Sequence, residues 1–536
     1  MGHIFYDLET SDLDRNFGQI LQIGLIYTDD DLNEIERKEI RARRNPWVVP
    51  SPGALLTTGF TDDDLEKQPG SLFDLVHELK DWLDKKDWPL TFWGYNSLRF
   101  DEPVLQNALH QNLEEPFLTS SAKKWGEERN TKSDVLTLVK AVHIYAPGVL
   151  KLEEKTSFGT AAISLLKVCA QNGIDLSDEA AHDAMADIEA TVAVARKLKK
   201  EAPEIWDQML KMRSKDGVEG FLKNNPVFAY SHAPQRGSFV SENIMVSAVA
   251  QNPVYANEHI VFDLRFDPAD YLDKSADEIA EMMKTQDEEH WKQPFHPLRK
   301  NQQPVLMPQN LAGPVMPDDL DEETLKMRAK MIHSNPDFQK RVAEAAKKAR
   351  PVYDNGTEPE QQIFDFVGKA HSRDVKLWMD GFKNGDWEQR EKLIGEFPKR
   401  FEEALKDQPS IGRFLTFARR IVFADAPETM EDAARKKYAE ALYKRLTTTD
   451  DVPWMTLPKA RAELDAIAEE RKNDPNSRWK DKTEEQIAGL RSYYDKLETR
   501  LKAAALGKAP LNRDDLGNDN GRADARRGNR PRRPGM

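Results

Sequence analysis

Residues 3–12 read HIFYDLETSD: a strand-like beginning, with Ile4, Phe5 and Tyr6 in succession, followed by carboxylates at two of the next three positions, Asp7 and Glu9. Side chains alternate faces along an extended chain, so positions 7 and 9 project from the same face, about 7 Å apart along the backbone. Two negative charges are thereby held close. At an effective dielectric of about 20, like charges roughly 4 Å apart repel by about 4 kcal/mol, a cost that protonation, a cationic side chain or a metal has to offset. A fold built on this strand must bring one of the three to its end.

At 536 residues the chain is too long for a single core. Residues 1–200 alternate short apolar runs with helical patterns, the mark of an α/β layer fold. HIFYDLE, QILQIGLIYTD and the ERKEIRARRNP run predict an opening antiparallel meander, with turn chemistry at 16–18 and 28–33. Helices are expected at 71–85, 102–111, 133–145 and 181–200, and LTFWGYNSLRFDEPVL reads as a strand, a Gly-Tyr-Asn turn and a helix. From Pro226 to Leu264 the runs VFAYSH, SFVSENIMVSAVA and HIVFDLRF predict a small sheet or barrel, and from Asp321 onward the pattern is helical. The expected division is an α/β domain at 1–200, a β-containing domain with extra helices at 201–352, a helical domain at 353–505 and a tail at 506–536.

Composition narrows the function. No run of 18 apolar residues exists and no basic segment leads into an apolar core, so a cytoplasmic protein without a membrane partner is expected. A single cysteine, Cys169, excludes an intrachain disulfide framework and a multi-cysteine zinc site. The net charge of −14 argues against a uniformly basic nucleic-acid binder while leaving room for a local basic groove. The last seventeen residues hold six arginines against one aspartate among Gly and Pro, which reads as a disordered tail, solvated or tethering nucleic acid.

Further acids and one imidazole accompany the opening pair. Asp101 falls where a strand gives way to a helix, Asp134 lies in TKSDVL, and AHDAMADIEAT holds His182 and Asp187. Singly each has a plain reading: a solvated strand end for Asp7 and Glu9, a dipole-favoured helix start for Asp101, a surface or capping histidine for His182, an N-cap for Asp134. Together, Asp134 aside, they fit phosphodiester hydrolysis, which needs a neutralised phosphoryl group, an activated water and a stabilised leaving oxygen. Two Mg²⁺ ions held by carboxylate oxygens serve all three needs, and they would also offset the Asp7–Glu9 repulsion. Residues 182 and 187 are about 140° apart on a regular helix, so a joint role requires His182 to precede the helix.

DLET at 7–10, the aspartate at 101 and H-x-A-x-x-D at 182–187 resemble the motifs of the DEDDh 3′–5′ exonuclease superfamily, whose fold is ribonuclease H-like. GYNSLRFDE at 94–102, NGI with AHDAMADIEAT at 172–191, HIVFDLRFDPADYL, NQQPVLMP and FLTFARRIVFADAPETM are similar to the bacterial exodeoxyribonuclease I family. That resemblance implies an α/β exonuclease domain, an SH3-like second domain and an all-helical third domain arching over the nuclease to favour processivity. It also implies a monomeric 3′ to 5′ exonuclease on single-stranded DNA in repair and recombination. Asp7, Glu9, Asp101 and Asp187 would hold two Mg²⁺, with Mn²⁺ as a substitute. His182 would take the proton of the attacking water, and Thr10 would lie by the 3′ end. Trp93, Tyr95 and Phe100 flank the same junction and read either as base-stacking groups or as core, with Asn96 of that turn counted among the substrate contacts.

Where the resemblance leads one to expect a basic residue before Leu165, the chain has Ser164, so backbone contacts there are expected to be rearranged. The clusters ARRIV and ARKKYAEALYKR read as solvated helix faces or as a surface for an acidic peptide, and the resemblance implies the acidic tail of single-stranded DNA-binding protein. Two other functions compete: a related exonuclease acting on RNA or oligonucleotides, and a catalytically silent nucleic-acid-binding scaffold.

Overall fold

The computed structural model describes residues 2–124, 126–155, 161–176, 183–232, 242–284, 293–317, 319–350 and 356–508. Its first sheet comprises β1 (Gly2–Thr10), β2 (Ile20–Thr28), β3 (Glu34–Arg41), β4 (Leu90–Gly94) and β5 (Thr131–Asp134), in the order β3-β2-β1-β4-β5. β1, β2 and β3 form the expected antiparallel meander, and β4 and β5 add parallel strands on the other side of β1.

The alternation along β1 sorts its side chains between two cores. Ile4, Tyr6 and Leu8 pack with Leu72, Val76, Val104 and Leu105 of the helices Leu72–Leu83 and Asp101–Gln111. Phe5 faces the other way, into a core with Trp93, Val135, Leu138 and Ile188 of the helices Val135–Tyr145 and Ala184–Glu201. Asp7 and Glu9 share the parity of Phe5, so they continue that second face to the end of the strand.

Two of the expected helices start later than the sequence pattern suggests. The residues before Val135 are taken by β5, and Asp183 stops the other helix from extending upstream by capping it, accepting the N–H groups of Met185 and Ala186.

The second sheet is wholly antiparallel: β6 (Phe228–His232), β7 (Glu242–Gln251), β8 (Glu258–Asp263), β9 (Phe295–Arg299) and β10 (Val305–Pro308), in the order β10-β6-β7-β8-β9. Helices Glu322–His333 and Pro336–Ala349 cover it, with Phe338 against Phe295. Its core runs without a break into the first sheet's second face, through Trp206, Met209, Ala229 and Met245. From Lys369 to Ala505 the ordered elements are helices and short 3-10 turns.

The helical region packs on the opposite flank of the α/β layer. Leu21, Val49 and Leu55 pack with Leu457, Leu464 and Tyr494, and Phe73 and Leu113 pack with Trp378, Phe382 and Phe417. Asp425 is buried there and accepts from both Arg43 and Ser71.

Candidate active site

The carboxylates of Asp7, Glu9 and Asp187 converge, with one oxygen from each lying within 4.8 Å of the others. Three elements position them. β1 supplies Asp7 and Glu9 from one face, and the strand ends in a register shift between Glu9 and Thr10. The helix Ala184–Glu201 supplies Asp187 from its first turn. β2 admits that helix, because Gly24 pairs with Asp7 and has no side chain to hold the helix off.

Asp101 comes from a fourth element. It begins the helix Asp101–Gln111 and is 6% exposed, and the backbone of Leu8 and of its own residue offsets part of the rise that burial gives its carboxyl. It is not among the three converging groups, yet its charge acts on both Asp7 and Glu9.

Among the described residues, the groups that act on Asp7, Glu9 and Asp101 are other carboxylates and backbone, with no cationic side chain among them. Burial, then Asp101 and Glu9, hold the Asp7 carboxyl well above its ordinary range. Burial, then Asp187 and Asp101, push Glu9 up to about 9, and burial raises Asp101 to about 8. A divalent cation reverses this cost, and an all-oxygen donor set is what hard cations such as Mg²⁺ and Mn²⁺ select. The residues present therefore fit the expected metal.

The turn between β4 and the Asp101 helix is held from beneath. Asp134 accepts from the backbone N–H groups of Asn96 at 2.8 Å and Leu98 at 3.3 Å, while also capping its own helix through Leu136 N–H at 3.0 Å. The N-cap reading of Asp134 is thus right and incomplete. Asn96 has φ 62° and an exposed side chain at the tip of this turn. Gly94 lets the turn close on β1, since a Cβ there would stand 2.5 Å from Ser97 Cβ and 3.1 Å from the Tyr6 carbonyl oxygen.

The remaining expected site residues divide. Trp93 is a correction: it is fully buried, stacked between Phe5 and Trp206 with ring centroids at 5.6 and 5.2 Å, and its Nε1 donates to His3 Nδ1. No base can reach it. Tyr95 is half-buried and donates its hydroxyl to the Ile163 carbonyl, and Phe100 is half-buried beside the core of the first face. Thr10 is buried with its hydroxyl donated to the Asp12 carbonyl. Ser164 is exposed and precedes the helix Leu165–Asn172 without capping it. His182 lies outside the described residues, as do residues 509–536 of the arginine-rich tail.

Of the basic clusters, Arg420 is committed to the fold, buried against Glu360 at 2.7 Å, and Arg445 pairs with Glu358 and stacks on Trp454. Arg419, Lys436, Lys437 and Lys444 are exposed. The sequence reading overlooked Phe364 and Phe366, which are 60% and 65% exposed, each with its ring 5.9 Å from that of Phe117. Their signal was present in IFDFV, two aromatics framing an aspartate in a polar stretch.

Comparison with known proteins agrees with this architecture. The Exonuclease family model matches residues 4–195 and the Exonuclease I SH3-like domain model matches residues 213–348. The exodeoxyribonuclease I of Escherichia coli K12 is 25% identical over 387 residues, spanning 70% of this chain and 79% of the relative. An exonuclease I from Methylocaldum szegediense superposes with a TM-score of 0.72 at 21% identity, over 93% of this chain and 99% of that one. E. coli exonuclease I in complex with a dA16 oligonucleotide gives a TM-score of 0.71 at 20% identity, over 92% and 99%. The E. coli protein is also known in a zinc-bound complex with single-stranded DNA, which gives a TM-score of 0.68 at 20% identity over 92% and 99%. An exonuclease domain and an exonuclease I SH3-like domain thus follow one another in this chain, a homologue of the exodeoxyribonucleases I.

Proposed function

We propose that the chain hydrolyses single-stranded DNA from its 3′ end to mononucleotides, in DNA repair and recombination, as a cytoplasmic monomer. The observation that carries the reading is the convergence of Asp7, Glu9 and Asp187, with buried Asp101 beside them. The similarity to exodeoxyribonucleases I, one of them known with bound single-stranded DNA, favours DNA as the substrate.

In this reading Asp7, Glu9, Asp101 and Asp187 hold two Mg²⁺ ions, or Mn²⁺ in their place. The bound ions neutralise the phosphoryl group, lower the pKa of water and stabilise the leaving oxygen. His182 receives the proton of the attacking water. Thr10 and Asn96 contact the 3′-terminal nucleotide, Tyr95 and Phe100 border it, and Ser164 donates a neutral hydrogen bond where a cation was expected. The domains run 1–200, 201–352 and 353–505, followed by the tail. Exposed Arg419, Lys436, Lys437 and Lys444 are the groups left to meet the acidic tail of single-stranded DNA-binding protein.

The test is digestion of a 5′-labelled single-stranded DNA beside its duplex and its RNA counterpart, in Mg²⁺ or EDTA. A Mg²⁺-dependent ladder from the 3′ end of single-stranded DNA alone is expected, abolished by Asp7→Ala. His182→Ala should lower the rate by about 10² to 10⁴ while leaving metal binding intact. Degradation of RNA with DNA spared would move the chain to an RNA substrate, and no cleavage in Mg²⁺ or Mn²⁺ would leave a binding scaffold.

A further inference from the structure

Gln303, in the connection between β9 and β10, turns its amide away from its own sheet. It is 3% exposed and reaches the end of β5 in the first sheet. Its Oε1 accepts the Asp134 N–H at 2.7 Å, and its Nε2 donates to Ser133 Oγ at 2.7 Å and to the Met209 carbonyl at 3.4 Å. It does so from a left-handed backbone, φ 47°, which a residue with a Cβ adopts only when its surroundings enforce it. An apolar side chain would serve if this contact only filled space between two domains. A buried amide costs about 1–3 kcal/mol wherever it is left unsatisfied, so its placement carries geometric information.

What Gln303 grips leads to the site. Asp134, whose N–H it receives, holds the 94–98 turn through the N–H groups of Asn96 and Leu98. The Ser97 carbonyl in that turn accepts from Phe100 N–H at 3.2 Å and Glu102 N–H at 2.9 Å, which fixes the first turn of the helix that starts at Asp101. The geometry points to Gln303 as a positioning residue for the Asp101 carboxylate, acting from the second domain through Asp134 and the 94–98 turn. Metal affinity in the exonuclease domain then depends on how the second domain is seated. The inference rests on the reading of the acidic set as a divalent-cation site.

The experiment measures Mn²⁺ binding to the full chain by electron paramagnetic resonance, without DNA. Gln303→Met keeps the length of the side chain and removes its hydrogen bonds. Loss of such a supporting contact is expected to weaken Mn²⁺ binding about ten-fold. The Mg²⁺ concentration for half-maximal digestion should rise by the same factor, and the rate at saturating Mg²⁺ should return to wild type. Ser133→Ala, which removes the nearer of the two acceptors of Nε2 and leaves the Met209 carbonyl, should shift both in the same direction by about three-fold.

Thermal unfolding in EDTA shows whether each variant is folded, and if Gln303→Met is not, Ser133→Ala decides. Wild-type Mn²⁺ affinity in the folded variants overturns the inference. So does a rate that saturating Mg²⁺ fails to restore. Asp7→Asn separates the two readings: if it too binds Mn²⁺ like wild type, the metal site itself is wrong. If it alone loses Mn²⁺, only the role of Gln303 falls.

Discussion

Gly24 of β2 stands opposite Asp7 of β1, and a Cβ at position 24 would lie 2.6 Å from Ile188 Cδ1, 3.0 Å from Met185 Sδ and 3.2 Å from the Ala184 carbonyl carbon. The missing side chain is what seats the Asp187 helix against the strand that carries Asp7 and Glu9. Gly24→Ala is therefore expected to destabilise the chain by about 1–3 kcal/mol through overpacking. That outweighs the roughly 0.5–1 kcal/mol that alanine gains over glycine in backbone entropy. Ile188→Val removes Cδ1, so the double variant should recover part of the loss in denaturant unfolding and part of any lost Mn²⁺ affinity. Strictly additive effects would mean that Ile188 is not the limiting contact.

The raised carboxyls make a prediction about pH. Glu9 at about 9, Asp101 at about 8 and Asp7 well above its usual range bind protons in the folded chain that the unfolded chain releases near pH 4. Their contribution to stability is full below the unfolded values and is lost as pH rises through the folded ones. In EDTA the melting temperature should fall between about pH 4 and pH 9 from these groups. Mg²⁺ should restore it most at the alkaline end, and metal binding should release protons. Calorimetric titration of Mn²⁺ in buffers of different ionisation enthalpy measures that release. No release near neutral pH would mean that the cluster is already ionised.

The meander, the helices and the two sheets were legible because their periodicities are strong, and the acids of the site were legible because each sits at the end of such an element. Three strands were not: β5 and β10 are four residues each, too short to show a period, and β9, FHPLR, has a proline at its centre and no alternation, which an edge strand tolerates and a sequence pattern conceals. Trp93 misled in the opposite sense. An aromatic beside catalytic acids suggests stacking on bases, but its position on β4, next to β1, places it across from Phe5 inside the sheet's own core. Gly24 and Gln303 carry no local signal at all. Their roles exist only once β2 meets a helix about 160 residues later, or once a loop of the second sheet reaches β5.

Trp93 supplies a direct check on its reassignment. Sandwiched between Phe5 and Trp206, it should cost about 3–5 kcal/mol when changed to alanine, read as a lower denaturant midpoint. Trp93→Phe should cost less and leave KM for single-stranded DNA at the wild-type value. A raised KM with unchanged stability would return Trp93 to the substrate.

Phe364 and Phe366 are where stacking is expected instead. Both are exposed, both lie beside Phe117 of the exonuclease domain, and large aromatic rings are seldom left in water without a use. Base stacking on an aromatic side chain is worth about 1–3 kcal/mol per base and tolerates any sequence. Replacing both by alanine should weaken single-stranded DNA binding, read by fluorescence anisotropy in EDTA so that nothing is cut, by about ten-fold or more. The effect should be the same for oligo-dA and mixed sequences. Because these rings lie outside the acidic cluster, the rate at saturating DNA should stay at the wild-type value, and the loss should appear in KM and in shorter runs of cleavage per binding event. Unchanged affinity would make the aromatic trio a packing feature of the junction between the exonuclease domain and the helical region.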